Sequence, residues 1–188
     1  VAVGVTCPTT RIHPVILAQA TATVANLMPG RFTWGVGTGE ALNEHVIGGV
    51  WPEVPIRSAM MFEAVEIINK LFTGEVVRHD GKYFTLERAK LYTRPETPVP
   101  IYVATAGPVN AKKTGKFADG IITVGAADEK MGMIWDKFEE GAREVGKDPS
   151  GAPKLLQIHI SWAPTREEAV QNALVEWPNG GMAFFPKQ

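Results

Sequence analysis

Short apolar runs alternate with longer amphipathic ones along this chain, and that alternation restricts it to a parallel sheet covered by helices. Val1 to Thr6, VAVGVT, reads as a buried strand ending at Cys7-Pro8-Thr9-Thr10. A helix follows from about Pro14 to Leu27, with Leu17, Ala20, Val24 and Leu27 at helical spacing, proline at its first position and Pro29-Gly30 as its stop. Phe32 to Gly37 is the second strand. After a loop around Gly48 to Pro52, the next helix runs from about Ser58 to Phe72 with Met61, Val65, Ile68 and Leu71 on its apolar face. Further strands are expected at Pro100 to Ala104, Gly120 to Val124 and Leu155 to Trp162, and helices at Pro108 to Phe117 and Glu129 to Val145. Thr165 caps a last helix, with Glu168 at the capping-box position.

One segment breaks the alternation. Glu75 to Leu91 carries Val76 to His79, the turn pair Asp80-Gly81 and then Lys82 to Leu86, a hairpin signal that predicts an excursion outside the main sheet. The rest is a series of βα units with short connections and no low-complexity linker, so residues 1–188 read as one domain. A doubly wound sheet and a (β/α)8 TIM barrel both satisfy this pattern, but the barrel typically needs about 250 residues. The 188 residues therefore predict a barrel lacking its first and last units, and a chain that opens directly on a strand without a methionine is expected to begin inside a domain. In a barrel, chemistry gathers at the C-terminal ends of strands, which here are Thr6-Cys7, Thr38 to Asn43, Thr105 to Pro108 and Val124 to Ala127.

Arg31 to Glu44, RFTWGVGTGEALNE, is the richest of these ends. Gly37 and Gly39 let the backbone approach something closely, and Glu40, Asn43 and Glu44 share one face if the chain turns helical there. A partly buried carboxylate at a strand end suits proton transfer, whereas a glycine turn with solvated acids accounts for the same residues without chemistry. The GxGxG of Gly35, Gly37 and Gly39 is not a dinucleotide fingerprint, because Glu40 stands where the third glycine should be and would repel a pyrophosphate.

A formal net charge of -1 offers no field for nucleic acid or an anionic membrane. Cys7, the single cysteine, excludes an internal disulfide and fits a reducing compartment. No apolar run reaches membrane-spanning length and no signal peptide is seen, so a cytoplasmic protein is expected. His13, His45, His79 and His159 lack metal-site spacing and read as structural, with His45 nearest the glycine loop; no metal is expected. Cys7 is a packing residue before it is a nucleophile, Trp51 either walls the pocket or plugs the surface, and Lys112 and Lys113 either reach an anion or lie on a solvated helix face.

The run LMPGRFTWGVGTGEALNE, the downstream WPE, the hairpin and PVPIYVATAGP together resemble the luciferase-like superfamily of flavin- and deazaflavin-dependent barrel enzymes. Within it the likeness is to the coenzyme F420-dependent glucose-6-phosphate dehydrogenase group. The resemblance implies a (β/α)8 barrel with the deazaflavin ring at its C-terminal mouth. It implies Glu40 as proton donor during hydride transfer, Asn43 and Thr38 at the cofactor, and Thr105, Ala106, Gly107 and Pro108 as the turn holding the cofactor phosphate, which suits free N–H groups at a helix start. Thr6 and Cys7 correspond to a bulge where the family places a non-proline cis peptide beneath the ring. The group's sugar-phosphate contacts, a threonine and a lysine, fall on Val124 and Ala127, so a hydroxyl or carbonyl substrate without phosphate is expected. The family's catalytic histidine belongs to a strand upstream of Val1. A homodimer is also expected. The alternatives are an FMN-dependent luciferase-like monooxygenase and a non-catalytic barrel subunit or fragment.

Overall fold

The computed structural model of the chain describes residues 1–125 and 128–177. One sheet has the strand order β1 (Ala2–Thr6), β2 (Thr33–Val36), β5 (Ile101–Ala104), β6 (Gly120–Val124) and β7 (Lys154–Gln157), every neighbouring pair parallel. Between strands run α1 (Pro14–Leu27), α3 (Val54–Phe72), α4 (Pro108–Phe117) and α5 (Asp128–Glu144), and α6 (Arg166–Glu176) follows β7. A short α2 (Ala41–Glu44) sits in the loop after β2. The hairpin, β3 (Val77–Asp80) with β4 (Thr85–Ala89), forms its own antiparallel sheet, as its sequence predicts.

The core lies between the sheet and its helices. Trp34, Val36, Ile101 and Val103 from the strands pack with Leu17, Met61, Val65, Ile68 and Leu71. Full burial of each such side chain contributes about 1.5–3 kcal/mol before chain entropy is counted. A second cluster joins Ala111, Ile121, Ile134 and Phe138 beneath α4 and α5. The two helices are tied across their outer side, where Lys112 Nζ reaches Glu140 and Glu144 at 2.5 and 2.6 Å.

Four expectations need correction. The face of α1 is turned: Leu17, Ala18, Thr21, Ala22 and Ala25 are buried while Ala20 and Leu27 are exposed. Small side chains let α1 lie close against α3, and an alanine seam outcompetes a leucine ridge where space is narrow. Helix α3 starts at Val54 instead of Ser58, because Pro55 fits its first turn. Strand β1 is exposed at Val3 and Val5, as is Val1 before it, and β7 stops at Gln157 with Ile158, Ile160 and Trp162 exposed. Both are edge strands with one neighbour each among the described residues, and the β6–β7 ladder ends at Val124 opposite Gln157.

The fourth correction concerns the hairpin turn. Asp80 pairs with Thr85, so the connection is the four residues 81–84 and not an Asp80-Gly81 two-residue turn. Glu63 of α3 holds that loop open: its carboxylate accepts from the Phe84 amide at 2.9 Å and the Tyr83 amide at 3.2 Å, and His79 Nε2 lies 3.1 Å away. A Cβ on Gly81 would sit 2.2 Å from both Glu63 Oε1 and His79 Nε2, so glycine is required by the approach of α3. Burial pushes the Glu63 carboxyl up, but these amides and the His79 ring outweigh it and leave its pKa below the ordinary 4.5. Since the folded value is the lower one, the stabilisation is complete above 4.5 and is lost as pH falls through the folded value. Glu63→Ala strands two backbone donors and is expected to cost about 1–3 kcal/mol in chemical denaturation at neutral pH. That deficit should shrink in acid; a deficit that stays constant would show that the carboxylate's charge plays no part.

Candidate active site

Because the strands are all parallel, their C-terminal ends meet along one edge of the sheet. Thr6 pairs with Val36 and Val36 with Val103, so the residues after β1, β2 and β5 stand side by side. The β1–β2 register slips between Val3 and Thr6, and the non-proline cis peptide is Gly4–Val5. The bulge thus lies two residues before Thr6-Cys7, where the resemblance puts it. It presses on β2: a Cβ on Gly35 would fall 2.1 Å from the Val3 carbonyl oxygen, and one on Gly37 2.7 Å from Val5 Cγ2. The glycines of GVGTGE therefore accommodate the neighbouring strand of the same chain.

Gly39 continues the pattern. It adopts φ +81°, and a Cβ there would lie 2.5 Å from Cys7 Sγ and 3.1 Å from both Glu44 and Trp51. Trp51 is held flat by the Arg57 guanidinium, 4.4 Å above its ring, and Arg57 in turn donates to the Pro52 carbonyl at 2.6 Å. Trp51 is thus packed beneath the glycine loop. Cys7 is buried, with Sγ 2.9 Å from Thr9 Oγ1. Burial pushes its thiol up and the nearby Glu44 carboxylate adds to this, outweighing the Thr9 hydroxyl. An unionised, buried thiol is a packing group.

The acids expected to share a face are separated by the structure. Glu40 is exposed as the N-cap of α2, and Asn43, also exposed, has Nδ2 3.5 Å from Glu40 Oε2. Glu44 turns the other way and is 3% exposed, accepting from Arg11 Nε at 3.0 Å and Thr10 Oγ1 at 3.1 Å. Glu40, as the N-cap, has extended backbone (φ -128°, ψ 140°), so its side chain leaves the helical face that the i, i+4 spacing would otherwise share with Glu44. The partial burial expected for Glu40 belongs to Glu44. The ion pair with Arg11 carried no sequence signal, since its partners are 33 residues apart.

Across the sheet edge, Thr105 to Pro108 form the turn from β5 into α4. The Thr105 amide is tied to Ile122 O at 2.9 Å, and Thr105 Oγ1 accepts from the Gly107 amide at 3.4 Å. Gly107 is the N-cap and Pro108 opens the helix, with no side chain capping the first turn. Ala106 is exposed, and a Cβ at Gly107 would meet nothing within 4 Å, so the turn is open to an approaching group. Lys112 points away into its ion pairs with Glu140 and Glu144, and Lys113 Nζ lies 5.9 Å over the Phe62 ring.

The remaining candidates have partners elsewhere. Thr6 Oγ1 accepts from the Trp34 indole at 3.1 Å, which commits it to the strand pair, while Thr38 is half-buried at the loop start. His13 caps α1 through Val15 N, and His45 is exposed with Nδ1 2.9 Å from Ala41 O. His159 stacks on Trp177. Val124 closes β6 with an apolar side chain, and Ala127 lies outside the described residues. A groove of about 470 Å³ lies between α1 and the segment after the hairpin, lined by residues such as Val15, Asn26 and Tyr92, but it takes none of the strand-end residues.

A family model described as luciferase-like monooxygenase matches residues 1–188. The chain belongs to the luciferase-like monooxygenase family. An F420-dependent glucose-6-phosphate dehydrogenase from Kribbella flavida is 41% identical over 174 residues, 90% of this chain and 52% of that protein. A solved F420-dependent secondary alcohol dehydrogenase, in complex with an F420–acetone adduct, is 41% identical with a TM-score of 0.87, covering 95% of this chain and 56% of the other. The F420-dependent tetrahydromethanopterin reductase of Methanopyrus kandleri superposes with a TM-score of 0.80 at 25% identity, over 93% of this chain and 54% of that one. The chain spans about half the length of these relatives, and its fold is part of a luciferase-like (β/α)8 barrel.

In this luciferase-like site the conformation of Gly39 is expected to be the hardest to replace. Gly39→Ala meets both a left-handed backbone, costing about 1–2 kcal/mol, and the Cys7 sulfur. It should lower the thermal midpoint by roughly 2–8 °C. Adding Cys7→Ala should recover only the steric part, and an unchanged midpoint in the single variant would show that the loop relaxes freely.

Proposed function

We propose that the chain is the cofactor-binding part of a coenzyme F420-dependent oxidoreductase that moves a hydride between a secondary alcohol, or its ketone, and the deazaflavin. The observation that carries this is the pairing, along one sheet edge, of an exposed carboxylate at Glu40 with an uncapped helix start at Gly107. The residues fit such a cofactor. The open space at Gly107, where no side chain caps α4, suits a phosphate approaching the amides of the first turn. Thr38 and Asn43 stand beside Glu40, ready to offer a hydroxyl and an amide to a polar ring edge. The deazaflavin, when bound, supplies the hydride-accepting carbon.

This chain's own contribution is then positional and protonic. Glu40 exchanges a proton at its carboxylate as charge changes on its neighbour, and general acid–base assistance of this kind typically supplies about 100- to 10,000-fold. Thr6 and Cys7 support the floor, Thr6 through Trp34 and Cys7 by filling the space under Gly39. Residues 1–188 act as one incomplete barrel domain. A cytoplasmic setting suits the single thiol, and a homodimer is the expected assembly.

The absence of phosphate-binding side chains at Val124 and Ala127 supports this substrate class. An apolar residue at the end of β6 cannot grip a sugar phosphate, and each missing charge-assisted hydrogen bond is worth about 1.5–3 kcal/mol.

The full-length protein should therefore reduce F420 with 2-propanol or a similar secondary alcohol, followed by loss of the oxidised cofactor's absorbance, and be inert with FMN. Efficient turnover of glucose 6-phosphate alone would overturn the substrate. Glu40→Gln should cut turnover about 100-fold or more with F420 affinity nearly unchanged. Gly107→Val places methyls in open space, so it should lower the thermal midpoint only by the loss of an N-cap glycine, roughly 2–4 °C, while weakening F420 binding. Equal affinity in that variant would remove the turn from the cofactor site.

A further inference from the structure

Helix α2 has four residues, far too few to hold itself together, and its N-cap makes no side-chain hydrogen bond. Something else must fix it. The buried carboxylate of Glu44 receives Arg11 Nε on both oxygens at 3.0 Å and Thr10 Oγ1 at 3.1 Å, which fastens α2 to the loop between β1 and α1. The link to the chemistry is short. The amides of Asn43 and Glu44 both donate to the Glu40 carbonyl at 3.0 Å, so the backbone carrying the exposed acid hangs directly from the anchored residue. On the other side, Gly39 is pinned between Cys7 and Trp51, leaving Glu40 between two fixed points.

We propose that Glu44 is a positioning residue: clamped by Arg11 and Thr10, it sets where Glu40 and Asn43 stand at the strand ends. This rests on the assignment of Glu40 to proton transfer. Glu44 itself is 3% exposed and both its oxygens are taken by Arg11 and Thr10, so its part is to hold and not to react. Arg11 keeps 41% of its side chain exposed, so it can be changed without opening the core.

The test is a double-mutant cycle in the full-length enzyme. Glu44→Gln in the otherwise unchanged enzyme should lower kcat by about ten- to a hundredfold, the cost of a misplaced catalytic group. In the Glu40→Gln background the same change should cost less than about twofold, because the group being positioned is already gone. Arg11→Met should follow the same pattern, and keeps the cycle available if Glu44→Gln folds poorly. An equal loss in both backgrounds, or no loss in the first, overturns the proposal. Backbone amide exchange of residues 39–44 in the cofactor-free protein separates the two assignments. If Glu40→Gln retains full turnover, the proton-transfer reading has failed, and the clamp then stands or falls on whether Glu44→Gln speeds exchange there. Unchanged exchange overturns the clamp by itself.

Discussion

The close contact of β1 with the glycine-bearing strand β2 is the constraint on which the site depends. Val3 and Val5 occupy the space where side chains at Gly35 and Gly37 would project, and Cys7 the space where one at Gly39 would. Side-chain-free positions at every second residue let a bulged strand settle against a regular one without losing the parallel pairing on either side. The outcome is a loop whose height over the sheet edge is fixed by steric contact, with Cys7 and Trp51 as its supports. A site on such a loop inherits the rigidity of the strands.

Burial divides the carboxylates by role. Glu63 and Glu44 are both withdrawn from solvent and both spend their oxygens on partners from distant sequence: Glu63 on the hairpin amides, Glu44 on Arg11 and Thr10. A buried carboxylate saturated with donors is a fastening, because releasing its charge would strand those donors. Glu40 has no such obligations. It is exposed at the helix start, next to Asn43 and across the sheet edge from the open turn at Gly107, and so remains available to a bound molecule. The fastened acids keep elements in place, and Glu40 stays exposed at the sheet edge.

Local pattern was enough wherever a residue's role depends on its neighbours in sequence. The parallel strands, the bounds of α1 and α4, the Thr165 cap with its Glu168 partner, the separate hairpin and the gathering of Thr38, Glu40, Asn43 and Thr105 to Pro108 at one end of the sheet all follow from periodicity, proline and glycine placement and capping chemistry. What the glycines approach, which acid is buried and which face of α1 turns inward did not follow. Those depend on residues about 30 positions away: Val3 and Val5 against Gly35 and Gly37, Arg11 against Glu44, and α3 against the alanines of α1. Helical spacing can say that Glu40 and Glu44 are neighbours, but only the packing of the β1–α1 loop against a single turn of helix decides that one is sealed in an ion pair and the other left open.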